Sequence, residues 1–228
     1  MNILKELKIY VVGSNTQYAN WMGGTIVHTM EQADLVVFTG GSDIHPSIYG
    51  ENFIHKKTFS APERDNMEIK AYYKALELDK FMIGICRGHQ LLSALNGAKL
   101  IQDQYHPTEH IVKTYAGTEI LINSFHHQAV YPFDLPDDNY SILAWSEDLS
   151  PHHHNGLHEE MNPSVEVEAI YFPETKCLGI QCHPESMGNY EKYRRAVLFF
   201  KVQLNKMLID NLKVDARENN KLKNVVNC

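Results

Sequence analysis

Cysteine is scarce in this sequence of 228 residues, with four at positions 86, 177, 182 and 228. Their spacing fits no zinc knuckle, and in a cytosolic chain they are expected to be reduced thiols. A lone cysteine is ordinarily buried as a small hydrophobe, so any chemical role for one needs local support. Basic runs are missing as well. The net charge is −7, so neither nucleic acid nor an anionic membrane is an expected partner. No apolar stretch approaches the roughly 20 residues of a membrane span. The start, Met1 to Val12, has no signal-peptide n-region or cleavage site, so a cytoplasmic location is expected. There is no internal repeat.

What remains is a mildly acidic chain with 43% hydrophobic residues, enough for one well-packed domain. Apolar runs at Lys8–Val12, Asp34–Thr39 and Phe81–Ile85 read as buried strands. Glu119–Ile122, Ser141–Ala144, Val165–Tyr171 and Leu178–Gln181 are further candidates. Arg64–Leu78, Gly88–Leu95 and a long stretch from Asn189 to Leu212 carry helical spacing. Alternation of strand and helix points to an α/β fold, a parallel sheet covered by helices. The expected organisation is one domain over residues 1–212 with a polar tail over 213–228. The polar stretch Ser146–Ser164, with His152, His153, His154 and His158, reads as a loop or insertion. His154 and His158 stand at the i, i+4 spacing of a zinc pair, but Gly156 lies between them. A solvated loop is the expectation, with no metal.

Three segments carry possible chemistry. Gly84-Ile85-Cys86-Arg87-Gly88 lies between an apolar strand and a helix. Glycines on both sides of a nucleophile allow a sharp, strained turn that projects it from the strand end. The N–H groups of the following helix favour a thiolate and can hold an oxyanion. A buried structural cysteine is the competing reading. Gly179-Ile180-Gln181-Cys182-His183-Pro184-Glu185 ends another strand. Residues two apart on a strand face the same way, which would put His183 and Glu185 side by side as base and orienting acceptor. A surface pair is the alternative. Thr39-Gly40-Gly41-Ser42-Asp43 follows a third strand, and bare backbone there can approach a ligand or simply turn.

These segments, in this order, resemble the class I glutamine amidotransferase superfamily. The motifs are most similar to its γ-glutamyl hydrolase and γ-glutamyl-γ-aminobutyrate hydrolase branch. The resemblance runs from about Asp34 to about Arg194. It is carried by Gly40 to Glu51 (GGSDIHPSIYGE), by Arg64-Asp65-Asn66-Met67-Glu68 (R-D-x-x-E) and by Gly84 to Asp103. Asn123 to Gln128 (NSFHHQ), Glu168-Ala169-Ile170 and the segment around His183 complete it.

The resemblance implies a doubly wound, mostly parallel sheet with helices on both faces. It implies Cys86 as nucleophile, His183 as general base and Glu185 as the residue that orients it. The backbone N–H of Arg87, with that of Gly41 or its neighbour, would form the oxyanion hole. Gln90 and the segment Ser124, Phe125 and His126 would hold the γ-glutamyl group, and no cofactor is implied. Cys182 stands where the family usually has Trp, and His45 where Asn or Asp is commoner. These departures leave the leaving group open. Three readings stay open: a hydrolase of γ-glutamyl amides, a glutaminase subunit serving a separate synthetase, and a catalytically silent binding protein. The small-molecule substrate could be met by a homodimer or by a synthetase complex.

Overall fold

A computed structural model describes residues 7–13, 15–105, 107–155, 161–188 and 190–209. In chain order the strands are β1 (Lys8–Val11), β2 (Thr25–Ile26), β3 (Leu35–Phe38), β4 (Phe81–Ile85), β5 (Lys99–Ile101), β6 (Asp103–Gln104) and β7 (Glu109–Thr114). They continue with β8 (Glu119–Asn123), β9 (Ala129–Tyr131), β10 (Ser141–Ser146), β11 (His153–His154), β12 (Glu166–Phe172) and β13 (Cys177–Ile180). The helices are α1 (Pro62–Glu77), α2 (Arg87–Leu95), α3 (Pro184–Met187) and α4 (Arg194–Leu208).

The central sheet runs β2-β1-β3-β4-β13-β12-β10-β7-β8. Pairing is parallel from β2 through β13 and antiparallel from there to β8. The parallel strands are short and apolar because both faces are covered. On β3, Leu35 and Val37 join one core with Phe200 and Leu204 of α4. Val36 and Phe38 join the other, with Tyr72 of α1 and Leu91 of α2. Period-two alternation along a strand thus feeds two cores on opposite faces, and this is the expected α/β architecture. All four side chains are fully buried, each worth roughly 1.5–3 kcal/mol.

Helix α1 begins with Pro at its first turn, carries Glu63 and Asp65 there and Lys74 in its last turn. Each suits the helix dipole or the missing N–H of the first turn. The last helix is shorter than its spacing suggests. A 3-10 turn at Glu191–Tyr193 precedes α4, whose buried face is Ala196, Phe200, Gln203, Leu204 and Met207. The tail over 213–228 lies outside the described residues.

Strand register fixes where a site can form. Phe38 pairs with Gly84 and Ile180 with Ile85. The carboxyl ends of β3, β4 and β13 therefore lie side by side, where open α/β sheets place their ligands. Gly40-Gly41, Cys86 and His183 come directly after those three ends.

Candidate functional site

Cys86 follows β4 and caps α2 with φ +51° and ψ −108°. Its N–H donates to Ile180 O at 2.8 Å. A left-handed backbone is costly for a side-chain-bearing residue and is held only where its surroundings impose it. Here the flanking glycines impose it. A Cβ on Gly84 would lie 2.3 Å from Gly88 O, and one on Gly88 would lie 2.2 Å from Phe38 O. Strand, turn and helix are so close that neither position admits a side chain.

His183 and Glu185 are paired, but not as strand neighbours. β13 ends at Ile180, His183 caps α3, and Glu185 sits in that helix's first turn. The expected juxtaposition is present, built by a helix start instead of strand alternation. His183 Nδ1 lies 2.6 Å from Glu185 Oε1, leaving Nε2 for the other side of the ring. Burial disfavours the charged imidazole. Hydrogen bonds to Cys86 and Glu185 outweigh it and hold the His183 pKa up at about 10. Cys86, His183 and Glu185 are thus brought together.

The sequence offered no reason to single out Asn123 for its side chain. Its Oδ1 accepts from the His183 N–H at 2.8 Å, while its Nδ2 donates to His183 O at 3.2 Å and to Ser186 Oγ at 2.8 Å. One buried amide clamps the histidine backbone on both sides. Tyr18, on a 3-10 turn after β1, was also missed. Its ring lies 6.1 Å from that of His183, and its hydroxyl lies against Gly40, where a Cβ would stand 2.6 Å from it. Burial comes first among the causes that raise the Tyr18 pKa, followed by the charges of Glu185 and Cys86. Nothing in a lone tyrosine between two short strands signals this.

The remaining expected positions lie around the same point. Gly41 has φ +149°, and the Arg87 N–H opens α2. Gln90 is buried one turn beyond Cys86, with its N–H on Cys86 O. Its Nε2 donates to Gln128 O at 3.1 Å and Gln181 Oε1 at 3.3 Å. Ser124 is buried and Phe125 is exposed. The Phe125 ring stands edge-on to His183 at 5.7 Å. His126 turns its side chain inward, Nδ1 meeting Gln128 O at 2.8 Å. Only its backbone is left to face a ligand.

The other described cysteines are chemically quiet. Burial pushes the Cys177 thiol up to about 12 and that of Cys182 well above its ordinary value. The histidine run departs from the solvated loop expected of it. His153 and His154 form β11, paired with β6, and His153 is buried with Nε2 2.8 Å from Glu166 Oε1. The buried glutamate draws the run onto the surface of the fold. His158 lies outside the described residues. Among the described residues no group of three or more His, Cys, Asp or Glu side chains is arranged to hold a metal.

Comparison with known proteins fits this geometry. The chain is 31% identical over 186 residues to the glutamine amidotransferase-like protein YvdE of Lactococcus lactis subsp. lactis, covering 72% of this chain and 71% of that protein. The chain belongs to the glutamine amidotransferase-like family. Residues 20–112 match the family model Peptidase C26. Protein NtpR of Enterococcus hirae is 27% identical, covering 76% of each chain. The crystal structure of a glutamine amidotransferase from Thermotoga maritima shares the fold, with a TM-score of 0.52 and 16% identity over 97% of this chain and 95% of that one. Membership points to a hydrolase or amidotransferase-type activity. Among the described residues no helix is long and apolar enough to cross a membrane.

Proposed function

We propose that this protein is a cysteine-dependent hydrolase of γ-glutamyl amide bonds. The observation that carries the reading is His183, its Nδ1 2.6 Å from Glu185 Oε1 and its pKa raised by Cys86 and Glu185, beside a cysteine held on a left-handed elbow. The thiolate is the nucleophile, and a protonated imidazole is the counter-ion it needs. The Cys86 sulfur attacks the γ-carbonyl carbon, and the C=O π pair moves onto oxygen. The N–H groups of Arg87 and Gly41 receive that oxyanion. The Tyr18 hydroxyl crowds Gly40, where a Cβ would lie 2.6 Å from it, which favours Gly41 as the second donor. Collapse expels the amine, which takes the His183 proton, and leaves a γ-glutamyl thioester. Water then adds to the thioester carbon, giving its proton to His183, and the sulfur departs as thiolate. Glutamate and the amine are the products. Gln90 and the backbone of Ser124, Phe125 and His126 shape the γ-glutamyl end.

The test is a substrate panel. Glutamine, γ-glutamyl amines, γ-glutamyl peptides and poly-γ-glutamates are compared by glutamate release. Glutamate release from at least one class, lost in Cys86→Ala, is the expected result. Absence of release from all of them, with no acyl-enzyme seen by mass spectrometry, would leave the silent-protein reading in its place. YvdE's name favours glutamine among the donors. Turnover of glutamine alone, raised by an added synthetase, would identify the ammonia-supplying subunit.

Asn123 supplies a separate expectation. Asn123→Leu keeps the volume and removes the clamp on His183. Displacing a base by about 1 Å can cost on the order of 10²-fold, so kcat should fall by about that much. Iodoacetamide should still label Cys86. An unchanged kcat would mean that Glu185 alone holds the imidazole.

A further inference from the structure

We infer that Arg64 is a positioning residue for the oxyanion hole, and that Glu68 couples the hole's two halves through it. The inference rests on the hydrolase reading of the same site. The hole is assembled from two backbone segments distant in sequence, the glycine turn after β3 and the first residue of α2. The turn has little to hold it from within. A glycine loses more freedom on being fixed than any other residue, and Gly41 sits at φ +149°.

Arg64 reaches this turn from α1. Its Nη2 donates to Thr39 O at 3.1 Å, Thr39 Oγ1 at 2.9 Å and Gly40 O at 2.9 Å. Its Nη1 fills the space beside Gly41, where a Cβ would lie 2.1 Å away. The bond to Gly40 O has a direct consequence. Gly40 C=O and Gly41 N–H belong to one peptide unit, and in a planar trans unit they point opposite ways. Arg64, holding the oxygen from the α1 side, therefore aims the Gly41 N–H away from α1. A flipped peptide would lose the guanidinium and withdraw the donor together.

The second half is tied to the first through a carboxylate. Arg64 Nε donates to Glu68 Oε1 at 2.8 Å. The other Glu68 oxygen accepts from Arg87 Nη1, and Asp65 Oδ1 accepts from Arg87 Nη2. Arg87 and Glu68 are fully buried. Two arginines against two carboxylates leave no charge unmatched, which burial demands. An apolar filler would pack α1 against the sheet as well, so the ionic array is better explained by orientation than by stability. It ties the guanidinium that holds the glycine turn to the side chain of the residue whose N–H is the other proposed donor. The R-D-x-x-E spacing puts Arg64, Asp65 and Glu68 on one helix face, where a single turn serves both.

The experiment separates this role from a structural one. Arg64→Met and Arg64→Lys are compared with the parent for kcat, KM and the rate of Cys86 alkylation by iodoacetamide. That alkylation is a direct displacement in which the S–C bond forms, iodide leaves and no oxyanion develops. Losing one oxyanion donor costs on the order of 10²–10³ in kcat, so Arg64→Met should lose about 10²-fold with KM within about threefold. Its alkylation rate should stay near the parent's, and Arg64→Lys, which still offers donors to the turn, should recover part of kcat. Three results would overturn the inference: a kcat within about threefold of the parent, a parallel fall in alkylation, or Lys no better than Met. If Arg64→Met does not fold, Arg64→Lys against the parent carries the same comparison. Cys86→Ala is the control for the underlying reading. If it keeps turnover, the hydrolase reading has failed, and if it is inactive while Arg64→Met is unaffected, only this inference has.

Discussion

Cys86→Ala is expected to abolish turnover, while Cys177→Ala and Cys182→Ala keep most of it. The three cysteines are all buried, so burial does not rank them. What separates them is surroundings. Cys86 has the helix N-terminus of α2 and the His183 imidazole beside it. Burial drives Cys177 and Cys182 toward the neutral thiol, and a thiol without a base attacks no amide. Without the nucleophile, binding and the oxyanion donors alone leave about 10³–10⁴ over water, far below a working rate. Steady-state kinetics on the three variants, with peptide mapping of the iodoacetamide label, provides the measurement. Label on Cys182 with loss of activity, and none on Cys86, would displace the assignment.

The second large effect is expected at Glu185. Glu185→Gln keeps the size and a hydrogen-bonding group but removes the charge. A carboxylate in this position does not take the proton. It fixes the imidazole tautomer and stabilises the imidazolium that forms. The variant should fold and bind substrate about as the parent does, while kcat falls by something like 10²- to 10⁴-fold. His183→Asn should cost at least as much. The double variant should cost little more than His183→Asn alone, because such groups act as a unit. A near-neutral Glu185→Gln, or single losses that multiply, would dismantle the arrangement.

The pH dependence arises from the same contacts. His183 is held at about 10, above its ordinary unfolded value near 6.5. The stability this pairing adds is complete below about 6.5 and is lost as pH rises through about 10. Glu185→Gln removes one of the raising interactions. The alkaline limb of activity and of this stability contribution should both move to lower pH.

Much of the frame was legible in the linear chain. Short apolar runs closed by glycine or by a helical pattern marked β1, β3, β4 and α2, because a doubly covered strand must be apolar and an elbow must admit close backbone. The antiparallel β8, β10 and β12 were legible too, but β7 and the shortest strands were not. β7, Glu109–Thr114, alternates buried and exposed residues and holds His110 and Lys113, so its apolar signal is weak. β5, β6, β9 and β11 have three residues or fewer, too few for a period to show.

At the site, the sequence by itself determined the chemistry available: a cysteine between glycines, a histidine two residues from a glutamate, a glycine pair after a strand. These are local, since elbow, pair and turn each arise within five to seven consecutive residues of the chain. Tertiary structure decided which of them meet and what holds them. Parallel register brings the ends of β3, β4 and β13 together, and neither strand of a pair some 45 to 95 residues apart says by itself which partner it will take. Asn123 and Arg64 act through side chains hydrogen-bonded to backbone atoms of other segments, and Tyr18 lies against the Gly40 backbone. A hydrogen bond to a backbone group leaves no mark in the residue type of its partner, so although Arg64 and Asn123 stand in recognisable motifs, only the folded chain reveals what they hold.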